Sequence, residues 1–199
     1  MKLLAATGNK LKLAEFRRIL TPLGVEVLSL ADVGQKLDVE ETGATFMENA
    51  EIKARALRVK TGLPTVADDS GLCIDALNGR PGVYSARYGG ADTPHSRKIE
   101  MILDEMRDIP DEKRTARFVA AICCVWDDDT VISCEGAVEG RIGHGPTGAN
   151  GFGYDPVFMV GNRSFAQFAD REKDAVSHRG RALRTFYEKL EAHIRSKRT

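Results

Sequence analysis

Apolar positions in this chain follow two rhythms. Residues 2–6, 25–30 and 65–67 are short aliphatic runs bounded by turn residues, the mark of strands. Residues 115–126 and 130–140 are longer runs joined by Asp127-Asp128-Asp129, which predicts a hairpin. Leu13, Phe16 and Leu20 follow i, i+3, i+7 and predict a helix over 10–20. Thr45 and Glu48 form a capping box ahead of a helix carrying Phe46, Ala50, Ile52, Ala54 and Leu57, which ends near Gly62 and Pro64. Thr93-Pro94 opens another, with Ile99, Ile102, Leu103 and Met106 on one face. Leu183, Phe186, Leu190 and Ile194 form the stripe of a last helix. Strands alternating with helices predict an α/β architecture. Residues 108–114, polar and holding Pro110, are the expected junction between lobes. Residues 136–153 hold seven glycines and are expected to be largely loop. A strand is expected over 152–160.

Composition narrows the class. The 199 residues suffice for one domain or two intimate lobes. The longest apolar run, residues 118–126, is nine residues, half a membrane span. The start turns polar too soon for a secretory signal, so a soluble cytoplasmic protein is expected. The 29 basic and 29 acidic residues balance, which argues against a polybasic nucleic-acid coat. Cys73, Cys123, Cys124 and Cys134 show no metal-ligand spacing and are expected to be reduced thiols, mostly in the core.

Candidate chemistry gathers at four places. In Thr7-Gly8-Asn9-Lys10-Leu11-Lys12 a strand ends, a glycine turns the chain and a helix begins. Its free N–H groups and two lysines suit an anion; the plainer reading is a strand–helix turn with solvated lysines. Asp38, Glu40, Glu41, Glu48 and Glu51 have no Lys or Arg among them, and Asp68-Asp69 follows the strand at 65–67. Crowded carboxylates stay ionised beside a cation, and hard oxygens suit Mg²⁺ when a phosphate completes the shell; solvated loop charges are the alternative. Gly151-Phe152-Gly153-Tyr154-Asp155-Pro156 offers an aromatic platform and an acceptor, or is a structural turn. Glu172-Lys173 and Ser177-His178-Arg179-Gly180 precede the last helix, where an anion or base carbonyl could be met. A solvated basic face reads equally well there.

In order and spacing, these segments resemble the inosine triphosphate pyrophosphatase family. The match rests on Thr7-Gly8-Asn9 with Lys12, Glu40-Glu41-Thr42-Gly43 with Thr45-Phe46 and Glu48-Asn49-Ala50, and Ala67-Asp68-Asp69-Ser70-Gly71-Leu72. It continues through Pro81-Gly82-Val83-Tyr84-Ser85-Ala86-Arg87, the 151–156 segment and Ser177-His178-Arg179-Gly180.

The resemblance implies one domain over residues 1–199, with two lobes around a long mixed β-sheet and a substrate cleft between them. It implies Mg²⁺-dependent hydrolysis of ITP, dITP and XTP to the monophosphate and pyrophosphate, by a homodimer. Glu40 and Asp69 would hold the metal, Asp69 would also accept the proton of the attacking water, and Asp68 would support the metal through its water shell. Thr7, Gly8, Asn9, Lys10, Leu11, Lys12, Ser70 and Lys173 would hold the triphosphate; Phe152, Gly153, Tyr154, Asp155, His178 and Arg179 would hold the base. A donor such as Arg179 would favour a 6-oxo group over adenine's amino group. Two rivals stand beside this reading. One is a pyrophosphatase for modified pyrimidine or other damaged nucleotides, as in the related Maf-like proteins. The other is a nucleotide- or RNA-binding module without catalysis, which the balanced charge and clustered carboxylates disfavour.

Overall fold

The computed structural model describes residues 1–126 and 130–197; the turn expected at Asp127-Asp128-Asp129 lies outside them. The elements run β1 (Lys2–Ala5), α1 (Lys10–Leu20), β2 (Glu26–Leu28), α2 (Phe46–Thr61), β3 (Thr65–Ile74), α3 (His95–Glu105), β4 (Thr115–Val125), β5 (Val131–Ile142), β6 (Phe158–Val160), β7 (Arg163–Ser164), α4 (Asp170–Val176) and α5 (His178–Ser196). Seven strands form an open sheet in the order β2-β1-β3-β4-β5-β6-β7. β1 is parallel to β2 and β3, whereas β6 is antiparallel to β5 and β7, so the sheet is mixed. The fold is α/β, and no helix among the described residues is long and apolar enough to cross a membrane.

Two compact units emerge. The first comprises Met1–Asp69, Ala120–Gly136 and Arg179–Thr199; the second comprises Ser70–Val119 and Ala137–His178. Within the first, side chains of successive strand residues leave opposite faces of the sheet. Leu3, Ala5, Val66, Ala120, Ile122 and Cys124 pack with Phe16 and Leu20 of α1 and with Leu183, Phe186 and Leu190 of α5. Leu4, Ala6, Ala67, Ala121, Cys123 and Val125 pack with Ala50, Ala54 and Leu57 of α2. Both faces are covered, so residues 120–125 are a continuous apolar run with no polar alternation. The α2 helix starts where Thr45 and Glu48 close their reciprocal cap and stops at Gly62, which is left-handed.

In the second unit Leu72, Ile74, Ile99, Ile102, Phe118, Val138, Phe158 and Phe165 share one core. Buried Arg114 donates to the carbonyls of Met106 at 2.6 Å, Ile142 at 2.9 Å and Gly143 at 2.9 Å, satisfying acceptors just beyond α3 and at the end of β5.

The structure corrects several expectations. Residues 108–114 are not a junction, since they lie inside the second unit and end on buried Arg114. The strand expected over 65–67 is the ten-residue β3, running through Asp68-Asp69-Ser70-Gly71. β5 extends into the glycine-rich stretch as far as Ile142, and only Phe158–Val160 of 152–160 is strand. The four cysteines are free thiols, three of them buried as expected.

Candidate active site

Because β3 continues through the two aspartates, they cannot lie side by side. Period two puts Asp68 on the face of Val66, toward α1 and α5, and Asp69 on the face of Ala67, toward α2. Each carboxylate therefore has its own partners.

On the α2 face, Asp69 is 7% exposed. Lys53 places its ammonium 3.2 Å from Asp69 Oδ1 and 2.9 Å from Glu41 Oε1. Asn49 donates to Asp69 Oδ2 at 3.3 Å. Asn49 and Lys53 are one turn apart on α2 and share its buried face with Ala50 and Ala54. Burial and the neighbouring Glu41 charge push the Asp69 carboxyl above its ordinary value, outweighing the pull of Lys53. The acidic segment thus does have an offsetting cation, Lys53, just past the window that holds no Lys or Arg. Of the two adjacent glutamates it is Glu41 that reaches Lys53, while Glu40 is exposed. Asp69 and Glu41 gather hard oxygens around one positive charge, a donor set that fits a divalent cation. Among the described residues no three His, Cys, Asp or Glu side chains form a ready-made cage.

On the opposite face, buried Asp68 is 2.7 Å from Lys12 Nζ and 3.0 Å from Arg179 Nε. Arg179 Nη1 is 2.5 Å from Glu15 Oε2. Lys12 and Glu15 both stand on α1, so Asp68 and Arg179 tie β3 and the start of α5 to that helix. Burial alone would raise the Asp68 carboxyl, but Arg179 and Lys12 hold it far below the usual carboxylate range. Burial lowers the Lys12 ammonium below its ordinary value despite Asp68. Arg179, expected among the base contacts, thus directs its guanidinium to Asp68 and Glu15.

The segment of residues 7–12 carries the expected strand–helix turn. Asn9 caps α1 through Oδ1, which accepts from the N–H groups of Leu11 at 2.9 Å and Lys12 at 3.3 Å, and Thr7 Oγ1 accepts from Asn9 N–H at 3.1 Å. Two of the N–H groups expected for an anion are thus occupied by a neutral side chain. Gly8, Asn9, Lys10 and Leu11 are exposed.

The second unit holds the other predicted residues. Lys173 is 2.6 Å from Asp155 Oδ2 and lies 4.5 Å from the centroid of the Phe152 ring, a buried ion pair under an aromatic face. Asp155 also accepts from Phe152 N–H at 2.7 Å. Gly151 has φ +74°, and a Cβ there would collide with Asp155 Oδ2, so the turn requires glycine. Gly153 is half-buried. Tyr154 is not an open platform: it is 4% exposed, and its hydroxyl donates to the Ser85 carbonyl at 2.8 Å. His178 is buried and stacked on Phe118 at 4.8 Å between centroids. Ser70 is half-buried in β3. Lys173, expected at the triphosphate, is grouped with Asp155 and Phe152.

A sequence model described as the Ham1 family matches residues 3–189, nearly the whole chain. The chain belongs to the Ham1 family. It is 42% identical over 193 residues to a dITP/XTP pyrophosphatase of Shigella flexneri, covering 95% of this chain and 98% of that one. It is 48% identical to a dITP/XTP pyrophosphatase of Thermus thermophilus, covering 94% and 91%. A solved structure of a HAM1 protein from Coxiella burnetii is similar with a TM-score of 0.88 and 40% identity, covering 96% of this chain and 99% of that one.

In this Ham1-family chain the contacts add Lys53, Asn49 and Glu15 to the candidates, while Glu41 comes from the acidic segment already singled out. Asn49 and Lys53 do carry a signal, since polar residues at i and i+4 share the stripe of Ala50, Ala54 and Leu57. A polar pair on an apolar stripe marks a buried polar contact.

Proposed function

We propose that this chain hydrolyses deaminated purine nucleoside triphosphates, ITP, dITP and XTP, between the α and β phosphates, releasing the monophosphate and pyrophosphate. The observation that carries the reading is the buried Asp69 carboxylate, set between Lys53 and Asn49 and raised above its ordinary value. The names of the relatives support the reaction class.

Asp69 acts as the proton acceptor for the attacking water; a carboxylate in this position contributes about 10²–10⁴-fold. Glu40 and Asp69 hold the divalent cation, Mg²⁺ by the resemblance, with Glu41 beside them. When bound, Mg²⁺ supplies positive charge against the triphosphate oxygens and the departing pyrophosphate. Lys12 and the segment of Thr7, Gly8, Asn9, Lys10 and Leu11 bind the triphosphate with Ser70. Lys53 neutralises the carboxylates so that an anionic substrate is not repelled. Phe152 stacks on the purine, with Gly153, Tyr154 and His178 shaping its surroundings. The contacts of Lys173 favour the base over the phosphates: its ammonium donates to a 6-oxo group and would confront the 6-amino donor of adenine. Asp155 orients Lys173, and Arg179 serves by holding Asp68. The whole chain acts as one domain with two lobes, as a cytoplasmic homodimer, without nucleic acid or membrane.

A panel of ITP, XTP, GTP, ATP and modified pyrimidine triphosphates, with and without Mg²⁺, tests the reading. It expects fast turnover of ITP and XTP only with the metal. Preference for the pyrimidines supports the Maf-like alternative, and no turnover together with competition by RNA supports the binding module.

A further inference from the structure

The segment carrying Glu40 and Glu41 has no secondary structure of its own, and helix α2 reaches back to hold it. Ala44 N–H donates to Glu48 Oε2 at 2.6 Å, Gly43 N–H donates to Asn49 Oδ1 at 2.8 Å, and Lys53 pairs with Glu41. Asn49 is fully buried and the contact of its amide is two-sided. Its oxygen must face Gly43, because a backbone N–H only donates, and its NH₂ must face Asp69, because a carboxylate only accepts. The amide orientation is therefore dictated by its partners. Gly43 completes the arrangement: a Cβ at that position would lie 2.7 Å from Asn49 Oδ1, 2.9 Å from Asn49 N and 2.7 Å from Glu48 Cβ.

We propose that Asn49 is a positioning residue for Asp69. It fixes the rotation of the Asp69 carboxylate through Oδ2, and through Gly43 it ties that rotation to the segment bearing Glu40 and Glu41. Gly43 lacks a side chain because any Cβ would displace this amide. The proposal rests on the assignment of Asp69 as the proton acceptor. Carboxylate direction matters for proton transfer, since the acceptor oxygen must lie within hydrogen-bond reach of the water it deprotonates.

The test is steady-state kinetics with ITP and Mg²⁺ on Asn49→Ala, Asn49→Asp, Gly43→Ala and the Gly43→Ala/Asn49→Ala double variant, with Asp69→Asn as reference and thermal melts on each. Asn49→Ala should lower kcat about 10–100-fold with KM within about threefold, the signature of an interaction used at the chemical step. Asn49→Asp preserves shape and the acceptor for Gly43 but loses the donor toward Asp69, and it should be as slow. Gly43→Ala crowds Glu48 Cβ and Asn49 N besides the amide, so only part of its loss runs through Asn49, and the double variant should lose clearly less than the product of the two single losses. A merely structural role would lower melting temperature and multiply the losses in the double variant. Parental kcat in Asn49→Ala or Asn49→Asp beside an inactive Asp69→Asn, or multiplying losses, overturns the role of Asn49 alone. An active Asp69→Asn overturns the assignment beneath it.

Discussion

Asp68 and Asp69 are adjacent in the chain, yet their carboxylates leave opposite faces of β3: Asp68 lies 3.0 Å from Arg179 and 2.7 Å from Lys12, and Asp69 lies 3.2 Å from Lys53. A dipeptide that invites reading as one acidic site is thus two sites with different partners. Asp68 sits in a chain of charges running Lys12–Asp68–Arg179–Glu15, whereas Asp69 shares its cation with Glu41.

This chain of charges makes Asp68 a stability residue. Removing one member of a buried pair leaves the other charge uncompensated, typically at about 3–5 kcal/mol. Arg179→Ala should therefore lower the melting temperature by roughly 10 °C. A melt within 2 °C or so of the parent would contradict that role.

Its pH dependence follows from the depressed Asp68 carboxyl. A carboxylate lowered by folding contributes stability that is present above its unfolded value, about 3.9, and lost as pH falls through the folded value. Melting temperature measured from about pH 5 to pH 2 should fall less steeply in Asp68→Asn than in the parent. Parallel curves would show that the acid loss arises elsewhere.

Asp69 has the opposite sign. Its carboxyl is raised, so its charge opposes folding as pH rises past the unfolded value. Asp69→Asn should melt no lower than the parent at pH 7 while losing at least about 10²-fold in kcat. An active variant would remove Asp69 from the chemistry, and a large drop in melting temperature would contradict the burial argument.

Much of the scaffold was legible in the sequence. The spacing of Leu13, Phe16 and Leu20 announces α1, the Thr45–Glu48 capping box announces α2, and the apolar runs at 115–126 and 130–140 announce β4 and β5. The extent of β3 was not legible, because Asp-Asp-Ser-Gly carries the composition of a turn; only neighbours on both faces make it strand. The helix α4 was missed because its seven residues, Asp170 to Val176, show no apolar stripe. Thr7, Lys12 and Asp69 are candidates that local pattern singles out. Lys53, Asn49 and Glu15 become part of the site only through contacts across 16, 20 and 164 positions, which no local window contains.

The Lys53 charge is the main force lowering the Asp69 carboxyl. Lys53→Met should therefore raise that carboxyl further and move the acid limb of kcat/KM for ITP to higher pH, with a loss of turnover at pH 7. An unmoved acid limb would mean that Lys53 does not govern Asp69.

The bond that breaks identifies the reaction. The decisive measurement is the product balance from ITP with Mg²⁺, resolved by anion-exchange chromatography. Hydrolysis between the α and β phosphates gives IMP and pyrophosphate in a one-to-one ratio, with no IDP. IDP and orthophosphate, or stepwise release of orthophosphate, would place the cleavage at another bond and contradict it.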